Sequence, residues 1–98
     1  MMTRKDIAAI IGPNIRYVRL ARGLKQRELA TAAGYGSGGA VCISGIETSA
    51  NLPSWEMFYS IAAALSIHPS ELLNENLFDK KARDNEDSKK ITANSLTP

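Results

Sequence analysis

Seven cations crowd the first 27 residues: Arg4, Lys5, Arg16, Arg19, Arg22, Lys25 and Arg27 stand against Asp6 alone, a net +6. Residues 28–75 then carry Glu28, Glu47, Glu56, Glu71 and Glu75 and no Lys or Arg, a net −5. The overall +2 therefore conceals a basic end and an acidic remainder. A local basic face is the electrostatic footprint of a phosphate-backbone partner. On charge alone, an ordinary solvated helix face remains equally open.

Other chemistry finds little support. Gly34-x-Gly36-x-x-Gly39 has the form of a dinucleotide loop, but it follows a helical pattern rather than a strand, and no acidic residue lies about 20 positions on. One histidine and one cysteine cannot build a clustered metal site. No nucleophile–base constellation is present, so no enzyme, cofactor or metal is expected. Cys42 cannot close an internal disulfide and reads as a small packing residue on a helix, with oxidation as the lesser alternative. Trp55 and Phe58 read as core or dimer-interface residues. No apolar run approaches the ~20 residues of a membrane span, and no signal-peptide pattern follows Met1. The expected location is the reducing cytoplasm.

The elements that must position the cations read as helices. Residues 4–11 form one, with Thr3 and Asp6 spaced as a capping box. Gly12-Pro13 interrupts; Pro13 either opens the next helix or kinks a longer one. Ile11, Ile15 and Val18 recur at helical spacing, and Gly23 ends that run. A helix from Lys25 to Ala33 buries Leu29, Ala30 and Ala33. After a glycine-rich turn, a third helix runs from about Gly38 to Thr48, with Ser37 as its N-cap and Ile43 and Ile46 inward. Ser54 caps a fourth, whose Phe58, Ile61, Ala62 and Leu65 make a core stripe. His68-Pro69 opens a short fifth. Residues 79–98 are too polar to offset their ordering entropy and read as mostly disordered, or helical only against a partner.

In this order, Ile15-Arg16, Arg19, Gly23-Leu24, Gln26, Glu28-Leu29-Ala30, Ile43-Ser44-Gly45-Ile46-Glu47, Pro53-Ser54, Ile61-Ala62-x-Ala64-Leu65 and Glu71-Leu72 resemble the Cro/C1-type (XRE family) helix-turn-helix regulators of phages. The phrase from Ile43 to Glu47 is also similar to the controller proteins of restriction–modification systems. The resemblance covers residues 12–73. It implies an all-α, five-helix lambda-repressor-like helix-turn-helix DNA-binding domain over 12–76. A helical extension (1–11) precedes it and a polar tail (77–98) follows.

By the same resemblance, Arg19 pairs with Glu47, a structural ion pair that fixes the recognition helix. Gln26 meets a DNA phosphate at the start of helix 2. Lys25 stands where a capping Ser or Thr is usual and weakens that cap. Arg16, Arg22 and Arg27 are further phosphate candidates, and Asn51 a second backbone clamp. Counting from Ile43 and Glu47, the base-facing positions are Ala40, Val41 and Gly45, with Ser44 and Thr48 nearby. Ala and Val cannot hydrogen-bond a base edge, though they can touch a thymine methyl. The turn is longer than the family's and rich in glycine. Either Gly39 and its neighbours let the backbone approach DNA, with Ser37 or Tyr35 adding polar contacts, or specificity rests on DNA shape. The third alternative is poor DNA reading.

The expected partner is a double-stranded operator, bound by a homodimer with half-sites about one helical turn (~34 Å) apart. Ile67, His68, Pro69 and Leu72 are the expected interface. The expected role is autoregulation of the chain's own operon, as controller or repressor. The alternative is an antitoxin-like or anti-repressor module whose tail, residues 77–98, docks on another protein.

Overall fold

The computed structural model describes residues 2–77. Within them the chain forms five α-helices and no strand: α1 (Arg4–Ala21), α2 (Gln26–Ala32), α3 (Gly39–Glu47), α4 (Trp55–Ala64) and α5 (Pro69–Leu72). Thr3 and Asp6 form the expected reciprocal capping box at the start of α1. Gly12-Pro13 does not end this helix; of the two readings of Pro13, the longer helix is the one found. Pro13 removes the donor that the Ala9 carbonyl would receive, but Ala9 and Pro13 both lie on the exposed side, where water can supply it. The helix therefore runs through, and the expected extension is continuous with the first core helix.

Four helices end alike. After each C-cap comes a residue with positive φ: Gly23 at 72°, Gly34 at 88°, Ser49 at 65° and Ser66 at 55°. The two N–H groups that follow each cap turn back onto the last-turn carbonyls, as in Gly23 to Leu20 and Leu24 to Arg19. Ser49 bears the left-handed conformation without being glycine, and its Oγ donates to the Ala8 carbonyl at 2.9 Å. The third helix begins one residue later than expected. Its N-cap is Gly38, with no side-chain cap bond, and Ser37 is exposed outside it.

The core joins Ile11, Ile15 and Val18 of α1, Leu29 and Ala30 of α2, Ile43 and Ile46 of α3, and the α4 stripe Phe58, Ile61 and Ala62 with Leu65. Ala33 is only partly buried. Leu72 and Leu77 complete the core. Asn14, buried on α1, donates through Nδ2 to the carbonyls of Leu72 and Asn74, both at 2.9 Å. That clamp seats α5 on α1, so the packed unit reaches Leu77, one residue beyond the expected boundary. The expectation for the tail falls on residues 78–98, outside the described ones. Among the described residues, no helix is long and apolar enough to cross a membrane.

Candidate functional site

Arg19 and Glu47 are brought together in the interior, 28 positions apart in sequence. Arg19 Nε and Nη2 donate to the two Glu47 carboxylate oxygens at 2.6 and 3.0 Å, a fork-on-fork geometry. Arg19 Nη1 donates to the Leu24 carbonyl at 2.7 Å. Gln26, half-buried at the start of α2, donates through Nε2 to Glu47 Oε1 at 3.1 Å. One carboxylate at the end of α3 thus fastens α1 and the first residue of α2, while Arg19 also holds the turn after α1. Desolvating two charges is tolerable only with such complete partnering, and every buried side-chain polar atom among the described residues has a hydrogen-bond partner.

Gln26 is therefore a member of the ion-pair network in this structure rather than a free surface amide. Lys25 offers α2 no side-chain cap; instead Glu28 reaches back to accept from the Lys25 N–H at 2.8 Å. Lys25, Gln26, Arg27, Glu28 and Ala40 line an open cleft of about 460 Å³, which sets two cations beside the start of α3.

The outward side of α3 is chemically quiet. Val41 is 77% exposed, Cys42 is exposed, and Ala40, Ser44 and Gly45 are half-buried. Cys42 is thus a surface thiol on this helix, not the packing residue expected. The Thr48 hydroxyl donates back to the Ser44 and Gly45 carbonyls at 3.1 and 3.2 Å. The Asn51 side chain lies over Gly45, so closely that a Cβ there would collide with its Nδ2.

Several expected placements are corrected. Gly39 is buried: a Cβ on it would stand 2.7 Å from the Ala30 Cβ and 2.9 Å from that of Tyr35, so its smallness serves the α2–α3 packing, not approach to a ligand. Tyr35 packs against the core edge. Arg22 donates through Nε to the Leu65 carbonyl at 2.9 Å and lines a different cleft, with Tyr17, Ile67, His68 and Glu71, from the one lined by Lys25 and Arg27. Leu72, expected at an interface, is wholly buried in its own chain. Ile67 and Pro69 are half-buried and His68 exposed, its Nδ1 accepting from the Ser70 N–H at 3.2 Å. Arg16 is exposed. Trp55 is 68% exposed and stacks on Tyr59 at 5.7 Å, whereas Phe58 is core.

Arg4 and Lys5 were not among the expected site residues. Because α1 is continuous, they line a cleft of about 540 Å³ with Ala8, Ser49, Ala50, Asn51 and Leu52, just past the end of α3. They were visible in the charge count, but the expected helical extension over 1–11 was given no position relative to α3. No family model, no curated protein and no solved structure matches the chain.

Proposed function

We propose that the chain is a sequence-specific DNA-binding regulator of transcription, similar to the Cro/C1-type helix-turn-helix proteins, acting as a homodimer on an approximately palindromic operator. The observation that carries this reading is the Arg19–Glu47–Gln26 network. It rigidly holds α3 against α1 and α2 while leaving the outward side of α3 uncovered, beside the cations of α2. A helix held this way can enter a major groove as a unit. Gln26 leans on Glu47, and Lys25, Arg27 and the first N–H groups of α2 supply the phosphate contacts. Ala40, Val41 and Ser44 face the bases. Ile67, His68 and Pro69 supply the dimer surface, without Leu72. Autoregulation of the chain's own operon is the role proposed.

The test is a gel shift with DNA from immediately upstream of the reading frame, at two salt concentrations. Binding that is cooperative and survives competitor DNA is the expected result. No binding, or weak binding that ignores sequence and collapses with salt, overturns the reading.

A second reading has its own support. Trp55, Tyr59 and Leu73 are exposed, and an apolar groove of about 300 Å³ runs between Ile7, Ile11, Leu52, Pro53, Trp55 and Leu73. That surface fits an antitoxin-like or anti-repressor module. Failure of the gel shift alongside co-purification of one stoichiometric protein partner favours it.

A further inference from the structure

We infer that Arg4 and Lys5 form a second phosphate-binding cleft, which grips the DNA strand on the far side of the groove from Lys25 and Arg27. The inference rests on the DNA-binding reading and extends it to residues outside the resemblance. Three observations carry it. First, α1 passes through Pro13 without a break, so its first turns are a rigid part of the domain. Second, α1 is pinned to the end of α3: a Cβ on Gly12 would collide with the Ile46 carbonyl, and Ser49 Oγ holds the Ala8 carbonyl. Third, the resulting cleft is lined by two cations, a serine and an amide and by no carboxylate. Asp6, the next residue along the chain, has a carboxylate oxygen accepting from the Thr3 N–H at 2.9 Å.

The spacing suits a duplex. One basic cleft includes Ala40, at the start of α3, and the other begins at Ser49, just after its end. Nine residues at ~1.5 Å each put the length between them near 14 Å. The major groove is ~12 Å wide. A helix seated there with a cation pair at each end meets phosphates on both walls. Asn51, lying over Gly45, links the second cleft to the helix itself.

The experiment measures binding to upstream DNA and to a mixed-sequence duplex of about three helical turns, across a salt series. The double variant Arg4→Gln/Lys5→Gln is expected to bind both about tenfold more weakly. Its plot of log K against log salt should flatten by ~0.9 per lost phosphate contact. Ala50→Glu, which sets a carboxylate in the cleft with both cations intact, should give the same loss. Lys25→Gln/Arg27→Gln serves as the comparison. If that variant weakens binding while Arg4→Gln/Lys5→Gln and Ala50→Glu, all with unchanged melting, leave affinity and slope alone, the second cleft is wrong and the DNA-binding reading stands. If the unaltered chain binds neither duplex, both fall together.

Discussion

The two sides of α3 differ in kind. Its inward side carries Ile43, Ile46, Glu47 and Gly39, all buried, and the Glu47 carboxylate is held by three donors from α1 and α2. Its outward side carries Val41, Cys42, Ala40 and Ser44, small or apolar and largely uncommitted. The helix is thus placed with great geometric definition and then presents little hydrogen-bonding chemistry. Changes on the inward side should therefore act on stability, and changes on the outward side on partner choice alone.

The largest effect should come from Glu47. Glu47→Leu leaves the buried Arg19 guanidinium without its carboxylate, and breaking a buried pair in this way costs about 3–5 kcal/mol. Domains of this kind hold only ~5–15 kcal/mol in total, so urea denaturation should show a greatly lowered midpoint. Adding Arg19→Met should recover much of the loss, because two apolar residues need no partner. A loss under ~1 kcal/mol for the single variant would place the pair in the class of screened surface bridges and erase the contrast between the two sides.

Next comes Gly12→Ala. The added methyl meets the backbone oxygen of Ile46, which cannot swing aside as a side chain could, and the carbonyl of Glu47 at 3.0 Å. Overpacking of this sort costs ~1–3 kcal/mol, partly offset by the ~1 kcal/mol that alanine gains over glycine in a helix. Gly36→Ala, with open space around it, should stay within about ±0.5 kcal/mol. Asn14→Ala strips the shared donor from the Leu72 and Asn74 carbonyls and should cost ~1–3 kcal/mol. Protection from hydrogen exchange should fall first around α5.

How much of this was legible depends on the range of the interaction. The α4 stripe Phe58, Ile61, Ala62 and Leu65 was readable because helical periodicity is local, as were the caps at Thr3 and Ser54. At Gly12-Pro13 the local rule allows either a new start or a longer helix, and the outcome turned on Pro13 and Ala9 both lying on the exposed face of α1. That is a tertiary fact. Gly39 misled because its role is tertiary as well: a glycine beside a turn can serve backbone freedom or close packing, and only Ala30 and Tyr35 decide between them. Cys42 and Leu72 exchanged surface for core because short helices carry too few turns to define a face. Arg19 as a partner of Glu47 could not come from spacing at all; it came from the resemblance, whereas Gln26, expected at a phosphate, was not foreseen as the second partner. Arg4 and Lys5 were legible as charge but not as position.

The smallest effect on stability, and the sharpest test of the contrast, lies at Val41. Being 77% exposed, it should tolerate Val41→Ser within about ±0.5 kcal/mol of unfolding free energy. If the outward side reads bases, Val41 and Ala40 can do so only by touching thymine methyls. Replacing thymine by uracil deletes that methyl and nothing else. Each contacted position should then lose up to ~0.8 kcal/mol of binding, about fourfold. The loss should appear for the unaltered chain and vanish for Val41→Ser at the position that Val41 touches. Insensitivity to uracil at every position would leave groove shape and phosphate geometry as the source of any sequence preference. The outward side of α3 would then act as a spacer between two basic clefts, and the contrast between its faces would be sharper still.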